Sequence, residues 1–336
     1  MSSRVIIPGF AALVREFFCQ RLIAQQNASA QTVASYRDMF RLLLSFFAEC
    51  RGRPLTALTL ADLDAPAVLA FLEYLEQQRG NSIRTRNVRL AALRSFLKYV
   101  AARDPTCLPA AQRVLAIPMK RYQRPLLGYL SREEMAAILV APRESTWSGQ
   151  RDRVLFALMY NTGARVSETI GLRRADVTLS PSRAVRINGK GRKQRVIPLW
   201  KSTADSLREW LPRVGQEPES PLFPNSHGGP LSRSGVEDRL QEAILTASAS
   251  CPTLKGRRIS PHTLRHTTAM HLLQSGVDIT VIAIWLGHES TETTHLYVEA
   301  NLEMKEKALA NCEVGGPQVQ KPWREQEDVM AFLRTL

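Results

Sequence analysis

The segment SPHTLRHTTAMHLLQSG, residues 260–276, has the pattern of a helix with an unusual polar start. Ser260 is a favoured N-cap residue, and Pro261 suits the first helical position because an N–H group there has no partner within the helix. His262 and Arg265 then lie one turn apart on one face, near the positive end of the helix dipole. We therefore predict a helix whose first turn presents an imidazole and a guanidinium to an anion.

Phosphate fits this pair better than carboxylate does. A guanidinium can bond two non-bridging oxygens at once, while an imidazole exchanges a proton with a third atom. A His-x-x-Arg pattern is nevertheless also produced by a helix-capping histidine beside a surface arginine. The flanking motifs decide between these two interpretations.

Two motifs upstream add candidate residues. YNTGARVSETIGL, residues 160–172, predicts a helix that places Arg165 and Glu168 on one face, so that the carboxylate can hold the guanidinium. AVRINGKGRKQRVIPL, residues 184–199, alternates apolar residues on both sides of NGKG, which is typical of a β-hairpin with Lys190 at its tip. Taken alone, these two features are better explained by a surface salt bridge and a solvated basic turn.

A motif downstream adds two ring side chains. DITVIAIWLGHES, residues 278–290, predicts a helix capped by Asp278 and ended by Gly287, which exposes His288. Tyr297 follows nine residues later, in TETTHLYVEAN.

Charge favours a polyanionic partner. The chain has 45 Lys and Arg against 31 Asp and Glu, a net charge of +14 and a pI near 10. A solvated helical face usually mixes both signs, because opposite charges one turn apart support the helix. Three stretches instead contain several bases and no acid: 77–103, 177–204 and 243–277. We expect them to face phosphates, with a merely basic surface as the alternative.

Composition indicates a cytoplasmic globular protein of two domains. Its 336 residues, 44% of them hydrophobic, can bury a substantial core. It has no apolar run of about 18 residues and no signal-peptide pattern, so no membrane partner is expected. Five scattered cysteines form no C-x-x-C pair, and we see no Gly-rich nucleotide loop. We therefore predict no disulfide framework, no metal and no cofactor.

The first domain is predicted to be a helical bundle. Segments 10–27, 29–50, 59–80 and 82–103 have apolar residues at helical spacing or helix-ending signals. The predicted buried side of the fourth helix consists of Leu90, Leu93, Phe96, Leu97 and Val100. A separate polar stripe on this helix, predicted to lie along a DNA groove, consists of Arg84, Asn87, Arg94 and Lys98.

A linker is predicted between the two domains. Prolines at 118 and 125, with three bases between them, indicate extended chain, and Ser131 then opens a new helix. The predicted boundaries are 1–116 for the helical domain, 117–128 for the linker, 129–312 for a second, mixed domain and 313–336 for a C-terminal tail.

The motifs, in their order and spacing, resemble the tyrosine recombinase family, also called phage integrases. They are TGARVSETIGL, GKGRKQRVIPL, SPHTLRHTTAMHLLQSG, WLGHES and TTHLYVEA. The resemblance covers about residues 8–312. It implies a mainly α fold of two domains: a SAM-like helical core-binding bundle that clamps DNA, and an α+β catalytic domain with a small antiparallel sheet, the DNA breaking-rejoining fold.

The resemblance also implies a site-specific DNA strand transferase that needs neither metal nor ATP. Its tyrosine would attack a phosphodiester to form a 3′-phosphotyrosyl bond and free a 5′-hydroxyl. The two arginines would neutralise the transition state, His262 would act as the base, and Lys190 would protonate the leaving oxygen. The implied catalytic residues are Arg165, Lys190, His262, Arg265, His288 and Tyr297.

The remaining polar residues of these motifs have implied supporting roles. Glu168 would orient Arg165, and His288 would donate a hydrogen bond to a phosphate oxygen. His266 and His271 are predicted to be structural.

Double-stranded DNA carrying a specific recombination site is the implied partner. The family acts as a dimer on one site and as a tetramer in the synapse, with other recombinases of the same element as possible partners. Residues 302–312 and the tail are predicted to dock on a neighbouring protomer, with a frayed tail as the alternative. The predicted DNA-binding residues are Arg84, Asn87, Arg94, Lys98, Lys120, Arg121, Arg192 and Lys193.

Integration or transposition of a mobile element is the predicted role, because APRESTWSGQ, TASASCPTLKGRR and the tail exceed a compact Xer layout. Three alternatives stay open: Xer-type dimer resolution, a type IB topoisomerase, and a non-catalytic DNA-binding protein of the same fold. Covalent attachment to nicked DNA distinguishes the enzymes from the last, and relaxation without site preference favours the topoisomerase.

Overall fold

A computed structural model describes residues 9–122, 128–189 and 193–287 of the chain. The chain divides into two compact units, Met1–Pro125 and Leu126–Leu336. Outside the described residues lie the tail and four of the predicted site residues: Lys190, Arg192, His288 and Tyr297.

Helices make up the first unit, and three of them begin at capping side chains. Ser29, Asp64 and Ser82 each accept a hydrogen bond from the backbone N–H three residues later, which satisfies a donor at the helix start. The helices are α1 (Phe10–Glu16), which continues as a π-helical stretch (Phe17–Gln25), α2 (Ala30–Cys50), α3 (Ala65–Gln77), α4 (Ile83–Arg103) and α5 (Leu108–Leu115).

Two details of this unit differ from the sequence prediction. Helix α3 begins later than predicted, because a separate 3-10 turn at Leu60–Asp62 precedes it, closed by the Asp62 carboxylate on the backbone N–H of Thr59. Helix α5 has no counterpart in the prediction. It has eight residues, which is too short for a clear apolar repeat.

An aromatic cluster forms the centre of this unit. Phe96 of α4 is fully buried, and Phe10, Phe17 and Phe40 meet its ring at steep angles, with centroids 5.1 to 6.0 Å away. The predicted buried side of the fourth helix is confirmed: Leu90, Leu93, Phe96, Leu97 and Val100 are all buried.

Helices and one small sheet make up the second unit. The helices are α6 (Arg132–Val140), α7 (Trp147–Thr162), α8 (Val166–Ile170), α9 (Lys201–Trp210), α10 (Arg233–Ala247), α11 (Pro261–Gln274) and α12 (Ile279–Leu286). The strands are β1 (Val177–Thr178), β2 (Ala184–Asn188) and β3 (Gln194–Pro198), antiparallel in the order β1-β2-β3. The expected mainly α fold with a small antiparallel sheet is confirmed.

The predicted hairpin and helix starts are present. Strands β2 and β3 pair antiparallel from Ala184 opposite Pro198 to Asn188 opposite Gln194, as the two strands of a hairpin do. Ser131 caps α6, Ser260 caps α11 and Asp278 caps α12, each by accepting a backbone N–H. The local chemistry of these caps therefore fixes where the site-bearing helices begin.

Helix α11 runs through the middle of the second unit. From Leu264 to His271 all its residues are buried, and it packs on α7 and α12. Within residues 9–122, 128–189 and 193–287, no helix combines the length and apolar character that crossing a bilayer requires.

Candidate active site

Glu168 holds Arg165 at the start of α8. Arg165 is the N-cap of this helix, and its backbone N–H donates to Glu168 Oε2 at 2.9 Å. Its Nη1 donates to Glu168 Oε1, also at 2.9 Å. The contact expected from the i, i+3 spacing is therefore present and joins a buried carboxylate, 5% exposed, to a guanidinium that is 33% exposed.

Arg195 is a second partner of this carboxylate, and the sequence analysis does not single it out. It lies on β3 and donates from Nη2 to Glu168 Oε2 at 2.7 Å and from Nη1 to Oε1 at 3.4 Å. Its Nε donates to the backbone oxygen of Trp285 in α12 at 2.9 Å. The available sequence signal was the alternation of the strand, which places Arg195 on the same face as the buried Ile197.

Opposing effects act on the pKa of Glu168. Burial on its own raises the pKa of this carboxyl, since it disfavours the charged form. Hydrogen bonds from Arg195 and from the Arg165 backbone, with the charge of Arg195, outweigh burial and lower the pKa below its usual value. The carboxylate is therefore ionised at neutral pH and able to hold both guanidinium groups.

Arg265 is held by the C-terminal ends of two helices. Its Nη1 donates to the backbone oxygen of Gly163 at 2.6 Å, and its Nη2 donates to that of Leu286 at 2.7 Å. Gly163 ends α7 and Gly287 ends α12, both with left-handed backbone. The helix-end carbonyls, which lack intrahelical partners, thus fix a buried guanidinium that is 5% exposed.

The two candidate arginines meet at the end of α12. Arg165 Nη2 lies 3.4 Å from the backbone oxygen of Gly287, next to the Leu286 oxygen that Arg265 binds. The structure thus brings together the guanidinium groups that the sequence places 100 positions apart. His288 is the next residue of the chain.

His262 and the hairpin flank this pair. His262 is exposed in the first turn of α11, one turn before Arg265. At the base of the hairpin, Gly189 N–H donates to the Lys193 oxygen at 2.8 Å, and a Cβ atom on Gly189 would lie 3.5 Å from Glu168 Oε1. The hairpin predicted to present Lys190 therefore starts directly beside the carboxylate.

Two other histidines of α11 are buried. His271 Nδ1 lies 2.7 Å from the hydroxyl of Tyr160, and His266 packs edge-on against Tyr129. Burial, followed by the positive charge of Arg132, lowers the pKa of His271. The Tyr160 contact ties α11 to α7, the Tyr129 contact ties it to the chain just before α6, and both agree with a structural role.

The predicted DNA-binding stripe of α4 contains two kinds of residue. Arg84 and Lys98 are exposed. Asn87 instead exchanges hydrogen bonds with the backbone of Lys120 at 2.8 and 3.1 Å. Arg94 donates to the oxygens of Leu115 and Ile117, so these two side chains tie α5 and the start of the predicted linker to α4.

The other predicted DNA-binding residues of the described chain are basic and exposed. Lys120 forms an ion pair with Glu76 at 2.6 Å, and Arg121 and Lys193 are also exposed. In the described part of the chain, no three His, Cys, Asp or Glu side chains are grouped as a metal site requires.

Comparisons with known proteins match both units. Residues 128–304 match the Phage integrase family, and residues 16–104 match the Phage integrase, N-terminal SAM-like domain. The integrase/recombinase y4rC of Sinorhizobium fredii is 45% identical over 97% of this chain and 98% of its own. The tyrosine recombinase XerC of Pelobacter propionicus is 34% identical over 85% of this chain and 90% of its own.

Solved structures share the fold. The Tn1549 transposon integrase in complex with transposon right end DNA has a TM-score of 0.69, 14% identity, and coverage of 89% of this chain and 98% of its own. The XerH site-specific recombinase bound to difH substrate has a TM-score of 0.64, 24% identity, and coverage of 86% and 81%. The family matches confirm the expected SAM-like bundle in the first unit and the expected integrase domain in the second.

The close contact of α7 with α12 gives a stability prediction. Gly163 has φ +59°, and a Cβ atom there would lie 2.3 Å from Leu286 Cδ2. Gly256 has φ +73°, and a Cβ atom added there would have no other atom within 4 Å. Gly256→Ala should cost about 1–2 kcal/mol of unfolding free energy, from backbone strain alone. Gly163→Ala should cost about 1–3 kcal/mol more, from overpacking.

Tryptophan fluorescence during denaturant unfolding measures this difference, because all five tryptophans lie between Trp147 and Trp323, in the second unit. Equal losses in the two variants would contradict the packing described at Gly163.

Proposed function

The chain belongs to the phage integrase family and is a site-specific tyrosine recombinase, and we propose that it exchanges DNA strands through a covalent bond between Tyr297 and a 3′ phosphate. The observation that carries this proposal is the pair of guanidinium groups held at the end of α12. Arg165 and Arg265 bond to the adjacent oxygens of Gly287 and Leu286. Such fixed positive charge suits a phosphoryl transition state.

Charge neutralisation is the role of the two arginines. In the transition state, negative charge spreads over the equatorial oxygens of the phosphoryl group. Glu168 and the helix-end carbonyls hold the two guanidinium groups before the substrate arrives, so little reorganisation is needed during the reaction. The partly exposed Arg165 and the buried Arg265 thus form a preorganised clamp.

Proton transfer is the role of the flanking residues. The Tyr297 oxygen attacks phosphorus, the bond from phosphorus to the 5′ oxygen breaks, and the ester energy is retained in the phosphotyrosyl bond. His262 takes the phenol proton, because a phenol with a pKa near 10 is a weak nucleophile at neutral pH. Lys190 gives a proton to the leaving 5′ oxygen, and His288 donates a hydrogen bond to a phosphate oxygen.

Several observations support DNA as the partner. The chain carries a net charge of +14, and acid-free basic stretches include all of α4 and the hairpin. Arg84 and Lys98 on α4, and Arg121 and Lys193 elsewhere, present exposed cations. The Tn1549 integrase and XerH neighbours were both solved with DNA. Arg192 and Lys120 complete the proposed contact set, while Asn87 and Arg94 bond to the backbone of residues 115–120 and hold that segment against α4.

Recombination requires two DNA sites, so the working assembly is a dimer on one site and a tetramer in the synapse. The segment 302–312 docks on the neighbouring protomer and couples the active sites. The role is integration or transposition of a mobile element in the cytoplasm, supported by the likeness to an integrase/recombinase over nearly the whole chain. Likeness to XerC favours dimer resolution as the second candidate.

Loss of the nucleophile gives the sharpest test of this chemistry. Tyr297→Phe should bind DNA with unchanged affinity and form no covalent adduct, since only the attacking oxygen is removed. The assay is a denaturing gel of protein incubated with nicked duplexes tiled across the DNA flanking its gene. Tyr36→Phe, at a ring stacked on Phe17 in the first unit, is the control and should retain wild-type adduct.

A covalent adduct formed by Tyr297→Phe would contradict the assignment of Tyr297 as the nucleophile. Wild-type adduct should also form in EDTA, because the charge neutralisation is assigned to arginines. Relaxation of plasmids at any sequence would favour a topoisomerase, and absence of any wild-type adduct would favour a non-catalytic protein.

The exposed cations of α4 give a second prediction. Arg84→Ala combined with Lys98→Ala should weaken DNA binding and reduce the slope of log affinity against log salt by about two, one for each lost phosphate contact. Arg51→Ala combined with Arg113→Ala removes the same charge from exposed positions off this stripe and should leave the slope nearly unchanged. If both double variants reduce the slope equally, the effect comes from net charge alone, and the proposed contact of Arg84 and Lys98 with phosphates is contradicted.

A further inference from the structure

Arg195 bonds both to Glu168 and to the last turn of α12. Through Glu168 it reaches Arg165, the N-cap of α8. Through its Nε it reaches the Trp285 oxygen in the last turn of α12. Its own strand, β3, forms the hairpin that carries Lys190. One guanidinium therefore joins three of the elements from which the proposed active site is built: α8, the hairpin and α12.

Close packing fixes this guanidinium. The Arg195 side chain is only 10% exposed. A Cβ atom on Gly287 would lie 2.9 Å from its Nη1, and one on Gly189 would lie 3.4 Å from the same atom. Because Gly189 and Gly287 have no side chains, the Arg195 guanidinium fits between their backbones, and it has little freedom to move.

We infer that Arg195 is a positioning residue for strand cleavage: it locks the Glu168 carboxylate so that Arg165 is aimed at the scissile phosphate. This inference rests on the proposed function. Arg195 is assigned no DNA contact and no proton transfer, so it acts on the reaction through the groups that it holds, chiefly Glu168 and Arg165.

The hydrogen-bond pattern explains why one partner is insufficient. Each Glu168 oxygen is shared between Arg165 and Arg195. Without Arg195, only the contacts at α8 would orient the carboxylate, and the guanidinium of Arg165 could shift with it. A displacement of about 1 Å in a catalytic group can reduce the rate about 100-fold.

Lysine cannot replace this arginine. A guanidinium presents donors in a fixed plane, so that Arg195 bonds both Glu168 oxygens and the Trp285 oxygen at once. An ammonium group keeps the charge and loses this geometry. Arg195→Lys therefore separates positioning from simple charge pairing.

The test compares two DNA substrates that differ at the scissile phosphate. One carries the ordinary phosphodiester, and the other carries a methylphosphonate, in which a methyl group replaces a charged oxygen. The neutral linkage needs less charge neutralisation, so a defect in aiming Arg165 matters less on it. Scission of the labelled strand is measured under single-turnover conditions, with each variant below its melting temperature.

Arg195→Met should cut the phosphodiester about 100-fold more slowly than wild type and should lose about 10-fold or less on the methylphosphonate. Arg165→Ala should show the same pattern, and Arg195→Lys should follow it with a smaller loss. DNA affinity should not change. An equal loss on both substrates would mean a general structural defect and would overturn the inference, as would a wild-type rate in either Arg195 variant.

A matched control lies on α10. Arg239 pairs with the buried carboxylate of Asp152 at 2.6 Å, and Asp152 also pairs with Arg151, so this carboxylate too is held by two guanidinium groups. Arg239→Met removes a similar ion pair outside the proposed site and the acid-free stretches, and it should leave both rates within about twofold of wild type. If the wild-type protein cleaves neither substrate, the proposed function itself fails. If the wild type cleaves DNA and the Arg195 variants cleave it at the same rate, only this inference fails.

Discussion

A buried carboxylate between two guanidinium groups is the interaction on which the site depends. Glu168 accepts from Arg165 at the start of α8 and from Arg195 on β3. Removing one partner of a buried ion pair costs about 3–5 kcal/mol, because the other charge is left uncompensated. The arrangement therefore links the stability of the second unit to the placement of a proposed catalytic arginine.

The end of α12 is the second fixed point. Its last carbonyls accept from three arginines: Arg195 at Trp285, Arg265 at Leu286 and Arg165 at Gly287. Helix-end carbonyls carry partial negative charge and lack intrahelical partners, so cations are favoured there. The chain that leads to His288 and Tyr297 leaves directly from this point. The helix-end carbonyls and the Glu168 carboxylate thus hold three guanidinium groups close together in one site.

The sequence predicts much of this fold because its signals are local. N-cap residues such as Ser131 and Ser260 mark helix starts, and the NGKG turn marks the hairpin. Spacing alone also predicts the contact between Arg165 and Glu168. The catalytic roles came from resemblance to a family, since periodicity and charge support only a DNA-binding protein with a phosphate site.

Tertiary contacts between distant residues could not be predicted in this way. Arg195 looks like another base of a basic hairpin, and only the folded chain places it against Glu168. In the same way, Arg94 lies on the polar stripe of α4, yet it donates to two carbonyls at and just beyond the end of α5. A helical wheel shows which face a residue occupies and gives no information about what later packs against that face.

The ionisation of Glu168 tests the central claim most directly. The carboxyl carbon of this residue can be followed by NMR in protein labelled with ¹³C at the glutamate side chain, with Glu168→Gln assigning the signal. An ordinary glutamate is half protonated at pH about 4.3. The account predicts that Glu168 remains ionised at that pH in the folded protein, because the bonds from Arg195 and Arg165 lower its pKa. A signal half protonated at pH about 4.3 or above would contradict it.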